Sequence, residues 1–254
     1  MKEPIIEAKD VTIKLGGEVI LKDVSMEIGA GDIIVLIGTS GGGKTVLLKT
    51  LAGLIEPDKG YVKCYGQKWS DLTVVGKHDL YKHVGMQFQK SALFDELNTI
   101  ENVAYPLREH TEMSEEEIQK RSIECLKMVG LEKAKELEPY ELSGGMRIRL
   151  GVARSIALKP EILFLDDPTA GLDPVNSDEM AELILKIKKE MNSTLIIVTH
   201  DIMRAYQFAG RIFLIGNREV VETGSAEETK NSKDPKVQQF IHGWLKGPLT
   251  DNNS

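Results

Sequence analysis

Ile33-Ile34-Val35-Leu36-Ile37 runs directly into Gly38-Thr39-Ser40-Gly41-Gly42-Gly43-Lys44-Thr45, and Val46-Leu47-Leu48 follows. An apolar run, a glycine-rich turn and a lysine-threonine pair opening an amphipathic stretch read as strand, loop and helix. The glycines let backbone N–H groups turn toward one point without Cβ clashes. The helix start adds partial positive charge at that point. The stretch fits G-x-x-x-x-G-K-[ST], a loop that cradles a polyphosphate, with Lys44 able to reach the β- and γ-phosphates and the Thr45 hydroxyl able to ligate Mg2+.

A phosphate loop on a strand predicts more strands of the same kind, and Ile162–Leu165, Leu195–Thr199 and Ile212–Ile215 are equally apolar. Such runs suit a mainly parallel sheet covered on both faces. Gly216-Asn217 reads as a turn into a final strand at Glu219–Glu222. Asp166 emerges where the Ile162 run stops, placed to serve Mg2+, and Asp167 beside it is placed to orient or polarise an attacking water. The alternative for Asp167 is the start of a turn at Pro168.

From about Ser91 to Leu158 strand signals give way to helix signals. Ser114 with Glu117 makes a capping box and Gly130 suits a helix C-terminus. Leu142-Ser143-Gly144-Gly145-Met146 then precedes an amphipathic stretch, with Ser143 as N-cap and paired glycines baring backbone N–H groups. That is a second candidate anion-binding helix start in one chain.

The 254 residues carry a net charge of −7 and are 41% hydrophobic and 28% charged. This supplies a substantial core and excludes global disorder. The acidic balance argues against a broad basic face for nucleic acid and against electrostatic docking on anionic lipid. The two cysteines, Cys64 and Cys125, lack metal-ligand spacing and predict a reducing compartment. The start MKEPIIEAKD lacks the apolar segment of a signal peptide, and no apolar run is long enough to span a bilayer. The expectation is a cytoplasmic protein without direct membrane insertion.

The chain resembles the ATP-binding cassette (ABC) ATPases from about residue 5 to 225. The motifs come in that family's order: Gly38–Thr45, Gln89 within Gln87-Phe88-Gln89, Leu142–Met146, Asp166-Asp167, Gly171-Leu172-Asp173 and His200. The resemblance implies an α/β P-loop NTPase (RecA-like) core with a mainly parallel sheet, an antiparallel β subdomain and an inserted helical subdomain. It implies one ABC domain over 1–254: core and β subdomain at 1–90 and 159–224, helical subdomain at 91–158, and a C-terminal extension at 225–254. ATP and Mg2+ are the implied cofactors. Residues 38–46, from Gly38 to Val46, would bind nucleotide, Leu15 would face adenine, and Thr45, Gln89 and Asp166 would attend the metal. Asp167, His200 and Gln89 would act in hydrolysis. Two copies would pair head to tail, so that Ser143, Gly144, Gly145 and Met146 of one meet the nucleotide held by the other, with Ser143 and Gly145 on its γ-phosphate and Asp173 linking the sites.

Finer stretches narrow the resemblance. Ser91-Ala92-Leu93-Phe94 leading to Asn102–His110, Met146 where most relatives have glutamine, and Asp234–Phe240 look like the ATPase of Mla-type, MCE-associated lipid transporters. That implies a permease dimer, an MCE-domain lipid-binding partner and a peripheral place on the cytoplasmic face of the inner membrane. Two positions depart from the family: Asp167 stands where glutamate is usual, and Leu15 where an aromatic is usual. The alternatives are a regulatory ATP-dependent clamp slowed by Asp167, an ABC ATPase for a different substrate, or a soluble repair or translation factor. The last group carries coiled-coil insertions or tandem cassettes, and neither is visible here.

Overall fold

The computed structural model describes residues 3–89, 91–208 and 210–250. Its strands are β1 (Ile6–Leu15), β2 (Glu18–Ile28), β3 (Ile33–Gly38), β4 (Lys59–Cys64), β5 (Gln67–Lys68), β6 (Val84–Gln87), β7 (Ile162–Asp166), β8 (Thr194–Val198), β9 (Arg211–Gly216) and β10 (Glu219–Gly224). Its helices are α1 (Lys44–Leu51), α2 (Val74–Tyr81), α3 (Thr99–His110), α4 (Glu115–Met128), α5 (Gly144–Ser155), α6 (Pro174–Met191), α7 (Ile202–Phe208), α8 (Ala226–Lys230) and α9 (Pro235–His242). The chain is an α/β protein whose parallel strands accompany an antiparallel sheet. It divides into two compact units, one running through residue 77 and resuming at Thr194, the other His78–Ser193.

The first unit holds the antiparallel sheet β2-β1-β4-β5 and the run β10-β9-β3-β8. β3 pairs in parallel with both β8 and β9. Ile34–Ile37 are fully buried, as the unbroken apolar run predicts for a strand covered on both faces. The β1–β2 hairpin closes through Gly16 and Gly17, at φ 59° and 88°, which matches the twist of the flanking strands. The last hairpin turns one residue later than the sequence pattern predicts. Gly216 still pairs with Glu219, and Asn217 and Arg218 take the left-handed positions at φ 51° and 67°. Arg218 is tolerated there because its carbonyl accepts the Lys22 N–H at 2.8 Å, tying the turn to β2.

Glycine is required at the end of α1. Gly53 sits at φ 75°, and a Cβ there would collide with the ring of Trp69, whose Nε1 donates to Leu51 O at 3.2 Å. The C-terminal extension folds back on this unit. Gln239 Oε1 accepts from Leu249 N at 2.7 Å, its Nε2 donates to Trp244 O and Thr250 Oγ1, and Asn217 Nδ2 donates to Pro248 O. Residues 251–254 of that extension lie outside the described residues.

In the second unit β6 and β7 are parallel, Gln87 opposite Leu165. The expected capping box forms, Ser114 Oγ accepting from Glu117 N while the Glu117 carboxylate accepts from Ser114 N. Gly130 takes φ 74° just past α4. Arg108 on α3 forks between Glu101 and Glu115, joining α3 to the first turn of α4. The segment 91–158 holds helices α3, α4 and α5 and no strand among its described residues.

Gly53→Ala is expected to lower stability by about 2–4 kcal/mol, combining the left-handed backbone cost with overpacking against Trp69. A urea titration followed by tryptophan fluorescence checks this, and an unchanged midpoint would show that the ring relocates at no cost.

Candidate functional site

At the end of β3 the chain enters the loop 38–43 with no room for a side chain at its first position. A Cβ on Gly38 would run into the carbonyl oxygen of Ile215 on β9, and its φ is 147°. Gly43 at φ 100° is the N-cap of α1, where a Cβ would press on Ile20 and Leu21 of β2. No side chain caps α1 and no acid stands in its first turn, so its N–H groups and dipole remain directed at the loop. Lys44 Nζ donates to Gly38 O at 2.9 Å and Thr39 O at 2.8 Å, which holds the ammonium at the mouth of the loop. Leu47, Leu48 and Leu51 bury the opposite side of the helix. A glycine-rich cradle, an uncapped helix start and a lysine across it fit a polyphosphate.

The neighbouring strand brings His200 to the same edge. Val198 pairs with Leu36, and Thr199 N donates to Leu36 O at 3.0 Å. His200 is therefore exposed at the carboxyl end of β8, beside the exit of β3, which is where ligands bind in open α/β sheets. Leu15, 46% exposed, closes β1 at the glycine hairpin and offers apolar contact only.

The second unit carries the other predicted residues. Parallel β6 and β7 end together, so exposed Gln89 and the acids Asp166 and Asp167 leave one edge. Asp166 is 2% and Asp167 5% exposed. Asp167 adopts φ 52°, a left-handed conformation that Asp tolerates better than most residues, and its carbonyl accepts from Ala170 N at 3.1 Å. Asp167 thus opens the turn that the alternative reading expected, with its side chain buried at the end of β7.

Ser143 caps α5, its Oγ accepting from Met146 N at 3.2 Å. Ser143 and Gly144 are exposed, Gly145 and Met146 partly so, and no acid stands in the first turn. Asp173 caps α6 by accepting from Val175 N and Asn176 N. Those bonds, above all from the Asn176 amide, hold its carboxyl below the usual carboxylate range. Thr45 in the first unit carries a hydroxyl, and Asp166 and Gln89 in the second carry a carboxylate and an amide oxygen, each a hard donor of the kind Mg2+ prefers. Sequence reasoning gave no role to Asn102 or Arg154, which hold the segment after Gln89. The available signal was an arginine set among buried residues on α5.

Residues 21–170 match the model of the ABC transporter family. The chain belongs to that family. It is an ABC ATPase. It is 36% identical over 249 residues to the intermembrane phospholipid transport system ATP-binding protein MlaF of Haemophilus influenzae, covering 98% of this chain and 94% of the relative. It is 37% identical over 244 residues to a probable ribonucleotide transport ATP-binding protein, mkl, of Mycobacterium leprae, covering 96% of this chain and 70% of the relative. A solved dimeric ATP-binding cassette in a post-hydrolysis state, bound to ADP and Pi, superposes with a TM-score of 0.80 at 34% identity, covering 86% of this chain and 98% of that one. Among the described residues no helix is long and apolar enough to cross a membrane.

Lys44→Ala is expected to abolish ATP hydrolysis by this ABC ATPase. It should also weaken triphosphate binding by roughly 10- to 100-fold, the worth of a charge-assisted hydrogen bond of about 1.5–3 kcal/mol. Phosphate release and a fluorescent-nucleotide titration check it, and wild-type turnover would remove the phosphate-loop assignment.

Proposed function

We propose that this ABC ATPase energises phospholipid transport in a bacterial envelope, acting as a homodimer on the cytoplasmic face of a permease dimer in the inner membrane, with an MCE-domain lipid-binding protein as a further partner. The observation that carries the reading is end-to-end similarity to a relative named for phospholipid transport, 98% of this chain against 94% of that one. The relative named for ribonucleotide transport is as similar in identity but extends well beyond the match, 70% of it being covered. The second reading, an ABC ATPase for a different substrate, rests on that relative.

In the proposed site residues 38–46 cradle the phosphates and Lys44 neutralises charge on the β- and γ-groups. Thr45, Gln89 and Asp166 would hold Mg2+, which when bound would supply Lewis-acid stabilisation of the phosphate oxygens. Asp167 accepts a proton from the attacking water or orients it, and His200 contacts the γ-phosphate. Leu15 packs on the base. Ser143, Gly144, Gly145 and Met146 serve the nucleotide of the partner copy through the α5 start, and Asp173, fixed as the cap of α6, links the copies.

Asp167 decides between a working ATPase and a clamp that binds nucleotide and hardly turns it over. Asp167→Asn keeps both the size and the left-handed backbone preference while removing the proton acceptor, so most hydrolysis should vanish with ATP binding spared. Asp167→Glu restores the methylene usual in the family at the cost of a residue less suited to φ 52°, and turnover equal to or above wild type is expected as long as the turn holds that backbone. Phosphate release under saturating ATP compares the three, and hydrolysis by Asp167→Asn at the wild-type rate would pass the water to His200 or another group.

The substrate reading is tested by purifying the membrane complex through a tag on this subunit and identifying its proteins and lipids. A permease, an MCE-domain protein and phospholipid are expected, whereas phospholipid-free particles whose ATPase responds to a ribonucleotide would favour the second reading.

A further inference from the structure

The segment that follows Gln89 is held by two side chains from different helices. Ser91 and Ala92 adopt φ 59° and 44°, unusual for residues with a Cβ, and this turns both carbonyls toward α5. There Arg154 Nη2 donates to Ser91 O at 2.8 Å and to Ala92 O at 2.7 Å, while Nη1 reaches Asn102 Oδ1 at 3.4 Å. The guanidinium also lies 5.2 Å from the centre of the Phe94 ring. Asn102 on α3 is 0% exposed and holds the rest of the segment. Its Oδ1 accepts from Phe94 N at 2.9 Å, and its Nδ2 donates to the carbonyls of Phe94, Leu97 and Asn98 at 2.7–3.1 Å.

Each acceptor that the structure gives Arg154 is an uncharged oxygen, and burial pulls its pKa down. A largely buried guanidinium with no carboxylate partner among the described residues is a costly way to hold a turn. The same helix face touches both sides of Gln89. A Cβ at Gly151 would stand 3.3 Å from Cγ of Gln87, which closes β6, and 3.2 Å from Cβ of Ser91. The other end of α5 is the Ser143–Gly145 helix start, about 15 Å from Arg154 at 1.5 Å per residue.

We propose that Arg154, supported by Asn102, is a positioning residue for ATP hydrolysis: it locks the segment from Ser91 onto α5 and so fixes the placement of Gln89. This rests on the reading of Gln89 as a metal-side residue. Lysine is a poor replacement: one ammonium can cover at most the two carbonyls that Nη2 holds, and it loses both the Nη1 contact with Asn102 Oδ1 and the planar guanidinium against the Phe94 ring. Displacement of Gln89 by about an ångström is enough to cost on the order of 100-fold in rate.

The test compares wild type, Arg154→Lys, Gln89→Ala and the double variant, each as the full chain, by phosphate release under saturating ATP with Mg2+ varied. Arg154→Lys should lower kcat roughly 10- to 100-fold and raise the Mg2+ needed for half-maximal rate, with KM for ATP within about twofold of wild type. If Arg154 acts through Gln89, the double variant is no slower than Gln89→Ala alone. Additive losses, or wild-type kcat and Mg2+ dependence in Arg154→Lys, overturn the inference while leaving the Gln89 reading intact. Unaltered turnover in Gln89→Ala overturns that reading and the inference with it. Arg154→Gln, planar and neutral, replaces the lysine variant if thermal denaturation shows that the latter does not fold.

Discussion

A Cβ on Gly38 would run into the backbone carbonyl of Ile215, and much of the first unit follows from that close approach. Because β3 and β9 pair in parallel up to Gly38 and Ile215, the chain must leave the sheet there as bare backbone. It then turns through glycines into α1 without a side chain intruding on the loop. The helix start is left without a cap, and Lys44 folds over the loop carbonyls. An uncapped helix start is a local cost, and it is the feature that suits the loop to a polyphosphate.

Apolar burial and polar anchoring divide the remaining work. The parallel strands are held by side chains with almost no exposure, Ile34–Ile37 in one unit and Ile162–Leu165 in the other. Such a core positions strand ends but cannot specify the path of a loop that leaves them. Loops are specified by hydrogen bonds instead: Asn102 and Arg154 for segment 91–98, Asp173 for the start of α6, Gln239 for the tail from Trp244 to Thr250. Each of these side chains pairs main-chain groups that no sheet or helix ladder satisfies.

Asp167 joins backbone and chemical constraints in one residue. Its left-handed φ favours aspartate or asparagine over longer side chains, while its burial beside Asp166 keeps a carboxylate at the strand end. The departure from the family's usual glutamate therefore has a local conformational counterpart.

The amino-acid sequence by itself determined the elements whose signals are local. The run Ile33–Ile37 with its glycine loop, the Ser114–Glu117 box, the Ser143 cap and the apolar β7 to β9 strands were legible because period, capping and glycine content act within a few residues. Strand ends moved by a residue or so, and the last turn shifted to Asn217-Arg218 because its position is set by the contact of Arg218 with Lys22 on a distant strand. Only the tertiary structure decided why Gly38 must be glycine, that His200 emerges beside the phosphate loop, and that Arg154 grips Ser91 and Ala92. Those relations are contacts between residues far apart in the chain, and one-dimensional patterns carry no record of which distant carbonyl a side chain will meet.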